Sequence, residues 1–153
     1  MTGIDDVDRR LIAILQHDAR VTNVELARQV GLTEGAVRRR LDNLFRTQAL
    51  RIIGVGDPKM LGLTTHAVVG IKVEPKLLEQ VLDTLAAMPE ISFVYHTLGQ
   101  FDILIVAYLP ANEGLGQFLT SVVAQVEGVR ETETFLILNT RKRAFLFGAE
   151  SNG

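Results

Sequence analysis

The chain has 153 residues, 47% of them hydrophobic and 22% charged, with a formal net charge of −2; this excludes a disordered polyelectrolyte and a diffuse polycation. It has no cysteine, which excludes a disulfide framework and every thiolate metal or redox site. Any acidic partner must therefore be held by a local basic patch, and the length suits one ordinary domain or two small ones.

No run approaches the ~20 apolar residues needed to span a bilayer. The first ten residues, MTGIDDVDRR, are acidic where a signal peptide is basic and then apolar, so a soluble, cytoplasmic protein without membrane contact is expected. Charge is distributed unevenly. The first fifty residues hold eight arginines against seven acids, and the remainder eight basic groups against eleven acidic ones.

From Asp6 to His17, Val7, Leu11, Ile14 and Leu15 recur at helical intervals and give one apolar face. In TNVE, Thr22 can accept the Glu25 amide proton while Glu25 reaches back to the Thr22 amide, a capping box that starts a second helix at Asn23. That helix turns Leu26, Ala27 and Val30 inward and ends at Gly31, which tolerates the left-handed conformation. Leu32 and Thr33 alone separate Gly31 from a third helix, for which Thr33 is the N-cap. Two short helices joined by such a turn make a helix-turn-helix.

In the third helix Val37, Leu41 and Leu44 form the buried stripe. At 100° per residue, Gly35, Arg39, Asp42 and Arg46 point away from it, with Arg38 and Arg40 on opposite flanks. Such a helix can enter a major groove by its N-terminal half, bringing Glu34, Gly35, Arg38 and Arg39 near base edges while flanking arginines engage phosphates. The candidate DNA contacts are thus Thr33, Glu34, Gly35, Arg38, Arg39, Arg40, Asp42 and Arg46. A run of three arginines is by itself also compatible with a merely solvated helix face.

LRIIG is strand-like from Arg51 to Val55 and is broken by Gly56, Asp57 and Pro58, a plausible hinge. The expected division is residues 1–50 for the helix-turn-helix, 51–62 for a linker strand and hinge, and 63–153 for a second domain. Beyond the hinge come strand THAVVGIKV, a helix opened by Pro75 and stopped at Pro89, and strand ISFVYHT. A hairpin at Leu98, Gly99 and Gln100 leads to strand FDILIVAYL, a stop and cap at Pro110 and Asn112, a helix carrying Leu115 to Val126 and ended by Gly128, and strand RETETFLIL. The fold class is α+β, with a βαββαβ, ferredoxin-like second domain that places both helices on one face of an antiparallel sheet. Val69, Ile71, Phe93, Tyr95, Ile103, Ile105, Phe135 and Ile137 leave substantial apolar area on the bare face whichever parity faces out. That predicts sheet-to-sheet dimerisation.

DDVDRRLIAILQHDARVTNVELARQVGLTEGAVRRRLDNL resembles the DNA-binding half of the Lrp/AsnC family, the leucine- and asparagine-responsive regulators of bacteria and archaea. The matching features are the helix start at Asp8, DAR at Asp18 to Arg20, ELA at Glu25 to Ala27, and LT…V..RL..L from Leu32 to Leu44. The chain departs from the family at Ala49, where a glycine usually precedes the leading-out strand. LGQFDILI and GVRETETFLIL resemble strands of the family's C-terminal βαββαβ domain, named RAM for regulation of amino-acid metabolism. The resemblance implies a homodimer assembling to tetramers or octamers, with a free amino acid bound where dimers meet. The implied effector residues are Gly99, Gln100, Asp102, Thr132 and Thr134. Asp102 suits an ammonium, while open amides at Gly99 and the threonine hydroxyls suit a carboxylate; a turn glycine, a turn cap and cross-strand threonine pairs explain the same residues without a ligand.

No catalytic constellation is visible. His17, His66 and His96 lie far apart, no HExxH or phosphate loop occurs, and no cofactor or metal is expected. The function expected is a sequence-specific, DNA-binding transcriptional regulator acting on double-stranded DNA and modulated by an amino-acid effector. The alternative is an amino-acid-sensing module that acts on protein partners without binding DNA.

Overall fold

The computed structural model describes residues 3–142; Met1, Thr2 and residues 143–153, which include the end of the expected second domain, lie outside the described residues. One compact unit ends at Gly54 and a second runs from Val55 to Arg141.

The first unit holds α1 (Asp6–His17), α2 (Asn23–Val30) and α3 (Glu34–Arg46). Asp5 caps α1: its carboxylate accepts from the Asp8 amide while that of Asp8 accepts from the Asp5 amide, a reciprocal capping box that satisfies two otherwise orphaned donors. At α2 the expected box is only half made. Thr22 accepts from the Glu25 amide at 3.3 Å, but the Glu25 carboxylate turns outward to Arg28 and Gln29, where three charge-assisted bonds outcompete one backbone donor. Gly31 ends α2 at φ +73°, and Thr33 caps α3 through the Ala36 amide. Leu11, Leu15, Leu26, Ala27, Val30, Val37, Leu41 and Leu44 are buried together.

Leu50 joins this core, which the sequence pattern did not indicate. After α3, Gln48 adopts φ +57°, so the chain reverses and the Leu50 amide donates to the Leu44 carbonyl at 3.2 Å. The positive φ falls one residue before Ala49. Arg51 to Val55, expected as a strand, forms none. Ile52, Ile53 and Val55 are 51%, 63% and 54% exposed; β-branched residues suit a pleated surface but supply no partner ladder by themselves.

The second unit runs β1 (Thr65–Val73), α4 (Leu78–Ala86), β2 (Ile91–His96), β3 (Ile103–Leu109), α5 (Asn112–Ser121) and β4 (Val129–Leu136). The sheet is antiparallel in the order β2-β3-β1-β4. Short 3₁₀ turns precede α4 at Pro75–Leu77 and follow α5 at Val123–Gln125. The helix expected to continue to Val126 therefore stops at Ser121, where two adjacent valines are stiff at χ1 and weak helix formers; Val122 is exposed and only Val123 is buried. The N-cap of α5 is Ala111, not Asn112.

Register fixes which face is covered. Val69, Ile71, Ile103 and Ile105 pack with Val81, Leu85, Phe118 and Val123, so these four sheet residues lie under the helices and not on the bare face. The bare face carries Phe93, Tyr95 and Phe135 from the expected set, together with His66, Val68, Leu104, Val106 and Tyr108 by their cross-strand pairings.

Candidate nucleic-acid interface and effector site

The three consecutive arginines have three environments. Arg38 is held by Glu34, one turn earlier, at 3.0 Å. Among the described residues Arg39 makes no side-chain hydrogen bond or ion pair, and it is exposed. Arg40 departs from the expectation of a phosphate contact: its Nη1 donates to Oδ2 of Asp5 at 2.7 Å and to Oδ1 of Asp8 at 2.9 Å. The Asp5 and Asp8 carboxylates hold the guanidinium's pKa above its ordinary value. Asp5 moves the opposite way, lowered first by the Asp8 amide and then by Arg40.

The remaining candidates also separate. Thr33 spends its hydroxyl oxygen on the cap of α3, and Arg46 is drawn back to the Asn43 side chain at 2.7 Å. Asp42 is exposed and, among the described residues, unpaired. A Cβ on Gly35 would meet nothing within 4 Å, so packing inside the unit does not demand glycine there. The outward surface of α3 thus offers Gly35, a pre-oriented Arg38 and an uncommitted Arg39. Beside them an open cleft of about 340 Å³ is lined by Asp8, Leu32, Ala36, Arg39, Arg40 and Asn43. Asp5, Asp8 and Asn43 were not picked out as site residues from sequence; the available signal was the i, i+3 carboxylate pair at a helix start.

In the second unit the implied effector residues cluster only partly. Asp102 lies just before β3, where its amide donates to the Ile71 carbonyl and its Oδ2 accepts from the Val73 amide at 2.9 Å. Thr132 pairs with Ile71 from the other side of β1, and Thr134 with Val69. Asp102 and Thr132 therefore flank the same short stretch of β1. Lys72 within that stretch pairs with Glu131 at 2.8 Å, and its pKa is raised chiefly by that hydrogen bond. Gly99, at φ +153°, and Gln100 are exposed in the β2–β3 connection. Thr97 closes this connection by donating its amide to the Asp102 carbonyl and its hydroxyl to the Phe101 carbonyl.

The bare sheet face is aromatic. His66 and Tyr108 stack across β1 and β3 with centroids 4.3 Å apart, Phe93 and Tyr95 lie parallel at 5.9 Å, and Phe101 meets Phe135 edge-on at 6.5 Å. No helix among the described residues is long and apolar enough to cross a membrane.

Two family models match the chain: the AsnC-type helix-turn-helix domain over residues 4–44 and the Lrp/AsnC ligand binding domain over residues 66–146. The HTH-type transcriptional regulator FL11 of Pyrococcus furiosus is 33% identical over 144 residues, covering 93% of this chain and 95% of its own. The regulator Ptr1 of Methanocaldococcus jannaschii is 32% identical, covering 91% and 95%. Among solved structures, AsnC of E. coli superposes with a TM-score of 0.84 at 23% identity, covering 94% of this chain and 98% of its own. A Neisseria meningitidis transcriptional regulator in complex with L-Met gives 0.84 at 21% identity, covering 94% and 95%.

Proposed function

Because the chain belongs to the Lrp/AsnC family of helix-turn-helix transcriptional regulators, we propose that α3 reads a DNA major groove through Gly35, Arg38 and Arg39. The observation that carries this reading is the two-sidedness of α3. Val37, Leu41 and Leu44 are buried, so the guanidinium-bearing surface is left for a partner outside the unit. A net charge of −2 does not oppose it, since docking follows the local field and not the total.

The bare sheet face pairs with the same face of a second copy. Phe93, Tyr95 and Phe135 are 39%, 48% and 46% exposed, and contiguous aromatic area of this kind is enriched at interfaces. A dimer presents two reading helices, so the site is a near-palindrome with half-sites whole helical turns apart. Dimers assemble further, to tetramers or octamers.

The effector is a free amino acid, the ligand class seen as L-Met in the Neisseria relative of the same fold. Asp102 offers its ammonium a carboxylate oxygen not used by Val73, and Thr132 offers its carboxylate a hydroxyl. Such a ligand changes DNA affinity only through different affinities for two assembly states.

Duplex selection from a random pool, followed by titration against salt, tests the central reading. The logarithm of affinity falls linearly with log salt, by about 0.9 per neutralised phosphate, and Arg39→Ala lowers affinity for the selected duplex. Absence of duplex binding at low salt, with amino-acid binding intact, establishes the sensor alternative instead.

A further inference from the structure

We propose that Arg40 is a positioning residue: it braces the reading helix against the capped start of α1, so base recognition depends on Asp5 and Asp8, which touch no nucleotide. This rests on α3 being the reading helix and explains how its angle is held.

The bonding is complete on the acidic side. Asp5 gives Oδ1 to the Asp8 amide and Oδ2 to Arg40, while Asp8 gives Oδ2 to the Asp5 amide and Oδ1 to Arg40. Each carboxylate thus spends one oxygen on the α1 cap and the other on α3. The residues joined are 35 and 32 positions apart, so the contact ties two elements and does not merely decorate one helix. Asp8 is only 8% exposed, and a carboxylate so enclosed is costly unless paired. Removing Arg40 therefore leaves an uncompensated charge at the join, beyond the loss of two bonds.

The brace acts on the side chain that reaches furthest. Val37, Leu41 and Leu44 anchor one side of α3, and any residual roll of the helix about its axis displaces a group in proportion to its distance from that axis, so the guanidinium of Arg39 at the end of its long side chain moves most. Hydrogen bonds to base edges tolerate only a few tenths of an ångström. Phosphate attraction is indifferent to such a roll. Loss of the brace accordingly harms discrimination between sequences more than general attachment to DNA.

The test compares the full-length protein on two duplexes, the one selected by the wild type from a random pool and a scrambled version of it. Failure of the wild type to select any duplex removes the DNA-reading function and the brace with it; given selection, the brace is judged by the ratio of the two affinities. Arg40→Gln is expected to cut the ratio on the order of tenfold, the scale of one lost base contact. The salt slope on the scrambled duplex stays as in wild type, whereas loss of a phosphate contact would reduce it by about 0.9. Arg40→Lys restores part of the ratio, since an ammonium can still donate to both carboxylates. The double variant Arg40→Gln with Asp5→Asn leaves net charge unchanged and keeps the low ratio. An Arg40→Gln protein with an unchanged ratio, or with a salt slope reduced by about 0.9, overturns the proposal; so does a wild-type ratio in the double variant. Should Arg40→Gln not fold, Asp5→Asn preserves the helix cap and lowers the ratio. Parallel gains on both duplexes, from a guanidinium released to phosphate, overturn the brace in that variant.

Discussion

Gly70 lies directly beneath Phe101: a Cβ at position 70 would come within 2.5 Å of Cδ2 of the ring. Below 3 Å the ring must move, and Phe101 is the side chain that meets Phe135 on the bare sheet face. Gly70→Ala is therefore expected to disturb the proposed dimer surface while the covered face, with its own separate packing, stays intact. Interface aromatics contribute ~1–2 kcal/mol or more each, which translates into a dimer dissociation constant raised by about tenfold. Sedimentation over a concentration series, with circular dichroism as the folding control, reads this directly. An unchanged dimer constant would remove Phe101 from the interface.

The turn of the helix-turn-helix makes a sharper demand on stability. Gly31 sits at φ +73° and ψ +34°, where an L side chain costs roughly 1–2 kcal/mol. Space is not the issue, since a Cβ there would meet nothing within 4 Å. Gly31→Ala should destabilise the protein by about that amount in urea unfolding, and Gly31→Asn by less, because Asn tolerates this conformation best after glycine.

Gly35 presents the reverse case. It lies in the first turn of α3 with helical backbone and open space at its Cβ, so alanine should raise stability by ~0.5–1 kcal/mol through backbone entropy. Duplex affinity should move the other way, because a methyl group there stands between the helix and the groove floor. If both quantities rise together, the DNA does not approach the helix at Gly35.

Acid should loosen the first unit in a defined window. Glu25 is lowered from 4.5 to about 2, first by its bond to Arg28 and then by Gln29, and Asp5 is lowered below 3.8. A depressed carboxylate contributes stability that is complete above the unfolded value and is lost as pH falls through the folded one. For Glu25 this window runs from about 4.5 down to about 2. Glu25→Gln should lower stability at neutral pH and flatten its decline across that window; an unchanged slope would show that the exposed pair with Arg28 is screened out.

What the sequence disclosed and concealed follows from the range of the interactions. The bounds of α2 and the start of α3 were legible because Thr22, Thr33 and Gly31 act within three or four residues of themselves. Sheet parity was not. Val68 and Val69 are both apolar, so alternation cannot say which lies under α4 and α5; only the packed core decides. Leu50 depends on the turn at Gln48, which carries no glycine to announce a positive φ. The flank position of Arg40 was legible, but its engagement was not, because its acidic partners are more than thirty positions away in the chain. Asp102 was legible as a candidate, yet its structural bond to Val73 was not.

That bond lets a single substitution separate the structural role of Asp102 from the effector role proposed for it. Asparagine keeps an oxygen that can accept from the Val73 amide but removes the charge an ammonium requires. Asp102→Asn should therefore preserve the β1–β3 register and the melting temperature without ligand to within about 2–4 °C, the effect of a ~1 kcal/mol change in a chain of this size. It should also abolish the thermal shift produced by whichever of the twenty amino acids stabilises the wild type. Asp102→Ala loses both functions and should melt earlier even without ligand, since it leaves the Val73 donor unpaired. An Asp102→Asn protein that still responds in full to the amino acid would place the effector's ammonium elsewhere, and Asp102 would then be a fastening between β1 and β3 alone.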